Sequence, residues 1–215
     1  MAKYKHILFD LDGTLDDPFE GITKSVQYAM KKFGVDAEQD SLKCFIGPPL
    51  TDSFENYFGL SPDDAKLAVD YYREYYRPTG IFEVGIYEGI PEMLAALCDA
   101  GYELILATSK PIVFADMILE KFGLAKYFTA TFGSELDGTR VKKHEVIDYA
   151  FETHKMDKSR AIMVGDRRHD VEGAHKCGIP CIGVTFGYGD RAEHSECGAD
   201  YIVDTVDELK KLLLA

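Results

Sequence analysis

The chain has 215 residues, 46% of them hydrophobic and 12% aromatic, with 37 acidic against 24 basic side chains and a formal net charge of -13. That size and composition fit a globular protein with a sizeable core, built as one large domain or as a domain with an insertion. No Lys/Arg cluster is long enough to track a phosphate backbone, which argues against a nucleic-acid polymer as partner, and a small anionic substrate needs local cations to offset the acidic field. The five cysteines (Cys44, Cys98, Cys177, Cys181 and Cys197) are odd in number and lack CxxC spacing, so they read as free thiols of a reducing compartment. Met1-Ala2-Lys3-Tyr4-Lys5-His6 runs straight into an apolar strand, with no signal peptide and no long apolar span in view. The expectation is a soluble cytoplasmic protein without a membrane partner.

The first element is the apolar run His6-Ile7-Leu8-Phe9, short and continuous as in a strand buried on both faces of a parallel sheet. It ends in Asp10-Leu11-Asp12-Gly13-Thr14-Leu15, where two carboxylates share one face if the chain stays extended. Burying both unpaired is costly, and a hard cation such as Mg²⁺ relieves that cost. Gly13 frees the backbone to turn and approach a ligand.

Asp17 suits an N-cap, with Pro18 first in a helix carrying Phe19, Ile22, Val26, Met30 and Phe33 at helical spacing, closed by Gly34. A short helix is expected after Asp40-Ser41, then a loop at Gly47-Pro48-Pro49-Leu50, a helix from Thr51 or Asp52 to Phe58, and another from Ser61-Pro62 to about Arg77. Residues 17–80 thus read as helices only, and Tyr71, Tyr72, Tyr75 and Tyr76 form a stripe read as helix packing.

From Ile81 the pattern alternates. Helices are expected from Pro91 to a close at Gly101, from Pro111 to near Gly123, at Lys143–His154, at about Asp170–Cys177 and after the Thr205 cap. Strands are expected at Tyr102–Ala107, Thr129–Phe132, Ala161–Asp166, Cys181–Phe186 and Tyr201–Val203. Repeated β–α units imply an α/β fold with a Rossmann-like, doubly wound parallel sheet. Asp10, Asp12, Thr108, Lys143, Asp166 and Asp170 each follow a predicted strand or open a helix, and such ends converge at one sheet edge.

In their order these residues resemble the haloacid dehalogenase-like hydrolases, mostly phosphatases with an aspartate nucleophile. Asp10 to Leu15 is similar to the first motif of that family, Thr108-Ser109-Lys110 to the second, Lys143 to the third and Gly165-Asp166-Arg167-Arg168-His169-Asp170 to the fourth. The subgroup with phosphoglycolate-phosphatase-like and 5'-nucleotidase-like members is suggested by Gly138-Thr139-Arg140, Glu145-Val146-Ile147 and Gly187-Tyr188-Gly189. The resemblance implies a catalytic core of residues 1–16 and 81–215, with residues 17–80 as a helical cap domain that helps choose the substrate.

It also implies roles. Asp10 attacks phosphorus and forms an aspartyl-phosphate; Asp12 protonates the leaving oxygen and then deprotonates water. Thr108, Ser109, Gly13 and Lys143 bind the phosphoryl group. Mg²⁺ is held by Asp10, the Asp12 carbonyl, Asp166 and Asp170, the last directly or through water. Lys143 is preferred to Lys142 by its spacing from Arg140 and Glu145, and His169 is not expected to be a ligand. Phe45, Gly47 and Pro48, or the linker near Glu83, are candidates for leaving-group contact.

The substrate class is a small phosphorylated metabolite: phosphoglycolate, a nucleoside monophosphate, a sugar phosphate or pyrophosphate. The expected quaternary state is a monomer or homodimer. A β-phosphoglucomutase-like phosphomutase is the nearest rival, disfavoured because His144-Glu145 follows Lys143 where mutases usually carry Pro-x-Pro-Asp. A dehalogenase usually lacks the second aspartate, present here as Asp12. A phospho-accepting regulatory domain, the non-enzymatic rival, has no helical insertion after its first strand.

Overall fold

The computed structural model describes residues 4–215. Met1-Ala2-Lys3, part of the segment read above as free of a signal peptide, lie outside the described residues. Among the described residues no helix is long and apolar enough to cross a membrane, and all five cysteines are free thiols.

In chain order the elements are β1 (His6–Phe9), β2 (Asp16–Asp17), α1 (Phe19–Lys32), α2 (Leu50–Phe58), α3 (Pro62–Tyr76), β3 (Gly85–Ile86), α4 (Ile90–Asp99), β4 (Glu103–Pro111), α5 (Ile112–Lys121), β5 (Phe128–Ser134), α6 (Lys143–His154), β6 (Ala161–Gly165), α7 (Arg168–Lys176), β7 (Cys181–Val184), α8 (Arg191–Glu196), β8 (Tyr201–Val203) and α9 (Val206–Leu214). They fall into two compact units, one made of the chain up to Asp16 with Ile86–Ala215, the other of Asp17–Gly85.

The first unit is a six-stranded parallel sheet in the order β5-β4-β1-β6-β7-β8, an α/β Rossmann-like fold. All four residues of β1 are buried, which is why its sequence is a continuous apolar run rather than an alternating one. Phe9 lies opposite Leu106 of β4 and Val164 of β6. The carboxyl-terminal ends of these three strands therefore lie at one edge of the sheet, where the strand order reverses about β1. On one face Leu8, Ile105, Ala107 and Met163 of the sheet pack with Val146, Ile147 and Ala150 of α6 and Val171 and Ala174 of α7. This apolar layer fixes the starts of α6 and α7 against the strand ends.

Beyond shifts of one or two residues at element ends, β4 and α8 differ from the sequence reading. β4 continues past Ala107 to Pro111, because β5 keeps pairing with it up to Pro111 opposite Ser134 after a register shift. Thr108-Ser109-Lys110 therefore belongs to a strand instead of following one. Helix α8 was not anticipated. Its signal is Asp190 three residues before Glu193: the Asp190 carboxylate accepts the Glu193 N–H at 2.8 Å.

The second unit is helical. Asp17 accepts the Phe19 N–H at 3.1 Å, and Pro18 stands just before α1 rather than inside it. The segment expected as a short α-helix is a 3₁₀ helix, Gln39–Phe45. Tyr72 and Tyr76 stack at 5.1 Å between ring centroids, Tyr75 meets Tyr28 and Tyr71 meets Phe33, so the tyrosine stripe packs the unit's own helices. The chain stays with this unit to Gly85 because Glu83 returns to α1. Its carbonyl accepts the Gly21 N–H at 3.0 Å, and its carboxylate pairs with Lys24 at 2.8 Å.

Candidate active site

Asp10 stays in the sheet for one residue beyond β1, its N–H donating to Val164 O at 3.0 Å. Its Oδ1 accepts the Leu11 N–H at 2.8 Å and faces Lys143 Nζ at 2.8 Å. Its Oδ2 accepts no hydrogen bond among the described residues. One oxygen is thus anchored and the other is left to act.

Lys143 opens α6 and is buried. Nζ donates to the Ala107 carbonyl at 2.9 Å and forms ion pairs with Asp10 Oδ1 and Asp170 Oδ1, each at 2.8 Å. Burial works against its charge, but Asp10 and Asp170 outweigh it and hold the group above the ordinary lysine range. Lys142, its neighbour, is exposed.

Asp166 follows β6 and is fully buried. Its Oδ2 accepts the Tyr188 N–H at 2.8 Å, whereas its Oδ1 is buried with no hydrogen-bond partner among the described residues. Asp170, in the first turn of α7, caps that helix by accepting the Arg167 N–H at 3.1 Å while it pairs with Lys143. Burial foremost, and then the facing carboxylates, push Asp166 well above the usual carboxylate range. Burial also raises Asp170, against the pull of Lys143.

Asp10, Asp166 and Asp170 each offer an oxygen within 4.8 Å of the others. Opposite ligands of an octahedral Mg²⁺ stand about 4 Å apart, and the ion takes oxygen donors. An all-carboxylate set in which Asp166 Oδ1 and Asp170 Oδ1 accept no hydrogen bond among the described residues fits such a cation. His169 is exposed and outside this cluster.

Two glycines shape the cradle around Asp166. Gly13 has φ +81°, and a Cβ there would stand 2.6 Å from the Asp166 carboxyl carbon. A Cβ on Gly187 would lie 2.6 Å from both Asp166 Cβ and Oδ2. Only glycine lets these two backbones close on the carboxylate. Gly187-Tyr188-Gly189 thereby holds Asp166, a task its sequence alone does not disclose.

Thr108 is buried, and its Oγ1 accepts the Lys110 N–H at 3.2 Å. The carbonyl of Ser109 accepts the Ser134 hydroxyl at 2.8 Å, which pins that peptide. Lys110, given no role from the sequence, reaches Asp12 with Nζ at 2.6 Å from Oδ1 and 2.7 Å from Oδ2. Asp12 therefore keeps its carboxylate out of the three-aspartate cluster. Phe45, 1% exposed, is enclosed by Phe54, Tyr57 and Phe58 in the aromatic centre of the helical unit. Gly47, with φ +102°, and Pro48 form a half-buried turn of that unit.

A family model described as haloacid dehalogenase-like hydrolase matches residues 7–184. The chain belongs to the haloacid dehalogenase-like hydrolases. It is 47% identical over 193 residues to a 5'-nucleotidase of Pseudomonas aeruginosa, covering 89% of this chain and 87% of that one. It is 36% identical to the tyrosine-protein kinase PtkA of Mycobacterium tuberculosis, covering 96% of this chain and 72% of that one. It is 29% identical to a phosphoglycolate phosphatase of Vibrio parahaemolyticus, covering 97% and 96%. A crystal structure of a predicted phosphatase from Clostridium acetobutylicum superposes with a TM-score of 0.96 at 50% identity, covering 98% of each chain.

Proposed function

We propose that this hydrolase is a Mg²⁺-dependent phosphatase that cleaves small phosphate monoesters through an aspartyl-phosphate on Asp10. The observation that carries the reading is the state of Asp10: Oδ1 is anchored by Lys143 and the Leu11 N–H, and Oδ2 is free beside two further buried carboxylates. Phosphate-monoester hydrolysis is among the slowest uncatalysed reactions, so charge neutralisation and alignment must supply most of the acceleration.

In this reading Asp10 Oδ2 attacks phosphorus as the ester P–O bond breaks. Asp12 gives a proton to the leaving oxygen, then takes one from the water that releases phosphate. Thr108, the Ser109 peptide and Gly13 line the phosphoryl group, and Lys143 offsets the charge of Asp10 and of the transferring oxygens. Asp10 and Asp166 would hold Mg²⁺, with Asp170, which also pairs with Lys143, joining them directly or through water. The ion would supply positive charge against the phosphoryl oxygens. The relatives named 5'-nucleotidase and phosphoglycolate phosphatase support a small monoester as substrate.

Borohydride trapping tests the covalent step. Enzyme quenched during turnover and reduced should carry homoserine at position 10 in its peptide map. Active enzyme that shows no modification at Asp10 under steady-state turnover, or that shows it at another carboxylate, would contradict the proposal.

A further inference from the structure

We propose that Lys110 is the positioning residue for Asp12, holding its carboxylate in the orientation that serves the leaving oxygen; this rests on the acid–base role just given to Asp12. Asp12 sits where the chain leaves the sheet, followed by Gly13 in a left-handed conformation. Nothing in that turn by itself fixes the Asp12 side chain. Lys110 does so from β4, with Nζ at 2.6 and 2.7 Å from the two carboxylate oxygens. A contact to both oxygens sets the direction and the plane of the group.

Lys110 can act as a fixed point because it is itself held. It is 8% exposed, so its stem has little rotational freedom left to lose. Its own N–H is bound to Thr108 Oγ1, and the carbonyl just before it accepts Ser134.

The site thus divides two lysines between its carboxylates. Lys143 serves Asp10 and Asp170, and Lys110 serves Asp12. A buried lysine–carboxylate pair is weak ground for stability, because desolvation offsets most of its attraction. Alignment of an acid–base group is a different matter, since a displacement of about 1 Å can cost on the order of a hundredfold in rate. As the P–O bond breaks, the Asp12 carboxyl proton passes to the leaving oxygen. Asp12 is left as a carboxylate paired with Lys110, and Lys110 keeps its own protons throughout.

The test is leaving-group dependence in Lys110→Met, read in the first turnover with Mg²⁺. p-Nitrophenyl phosphate releases an anion that needs no proton, whereas glycerol phosphate releases an alkoxide that does. The variant should lose about a hundredfold on glycerol phosphate, with KM within about threefold of the parent. Its loss on p-nitrophenyl phosphate should be at least tenfold smaller. Lys110→Cys alkylated with bromoethylamine, which restores an ammonium at lysine reach, should recover the glycerol phosphate rate.

Equal losses on both esters, or a change in KM alone, would overturn the positioning role. If Lys110→Met does not fold, the alkylated and unalkylated Lys110→Cys samples decide: recovery confined to glycerol phosphate supports the role, and equal or absent recovery overturns it. A parent enzyme inactive on both esters, or activity surviving in Asp10→Asn, removes the phosphatase mechanism and this role with it. Equal losses beside an active, Asp10-dependent parent remove only the role of Lys110.

Discussion

Lys143 is the residue on which the site's electrostatics depend. Its ammonium contacts two carboxylates and a carbonyl, and its side chain is 3% exposed. Replacing it with methionine leaves Asp10 and Asp170 buried without a cation. The expected cost is about 3–5 kcal/mol of folding stability, by analogy with other broken buried pairs. Turnover should fall by about 10²–10³ in the fraction that remains folded. Urea denaturation and kcat on one monoester measure the two effects; a variant as stable and as active as the parent would refute the assignment. Lys143 was legible in the sequence only through the family resemblance, whose register with Arg140 and Glu145 favours it over Lys142. Lys110 was not legible. A lysine after Thr-Ser reads equally well as a solvated side chain, and only the continuation of β4 shows that it is enclosed against Asp12.

At the level of elements, strand ends and helix starts were readable where apolar runs stop abruptly. The runs ending at Phe9 and Gly165 are buried throughout, so polarity changes at the sheet edge itself. β4 was cut short in the sequence reading because Thr108, Ser109 and Lys110 break its apolar run. Its true length depends on pairing with β5, a non-local property. The same limit hid the task of Gly187-Tyr188-Gly189, which follows β7 and closes on an aspartate after β6. Gly187→Ala should therefore act on the cation site more than on the fold. A Cβ there presses on the Gly13 carbonyl and on Asp166 together, and Mg²⁺ affinity should drop about 10–100-fold, the usual cost of disturbing a ligand's support. Titration calorimetry measures it. Unchanged affinity in a folded variant would show that the segment does not set the carboxylate.

For the whole molecule, the alternation of short apolar runs with amphipathic stretches made the parallel sheet legible. The order of its strands was less so, because local sequence does not say which strands become neighbours. The buried carboxylates give the molecule a distinctive pH response. With Asp166 and Asp170 raised by burial, the metal-free folded state binds more protons than the unfolded chain between the ordinary carboxylate range, about 4, and their raised values. Their contribution to stability is therefore lost as pH rises through that window. The contribution of Lys143, raised by its partners, persists there and fades only above the lysine range. A divalent cation competes with the protons on Asp166 and Asp170. The gain in Tm from Mg²⁺ over EDTA should thus grow as pH rises from about 4 towards neutrality. Scanning calorimetry at stepped pH checks it; a gain that is flat or largest at low pH would contradict the cation site.

The most direct test of the account is phosphate release from a panel of monoesters, with Mg²⁺ and with EDTA, for the parent and Asp10→Asn. Turnover should need the metal and be lost in Asp10→Asn, with the best ester identifying the leaving group. Turnover that survives in folded Asp10→Asn, or that proceeds equally well in EDTA, would contradict it.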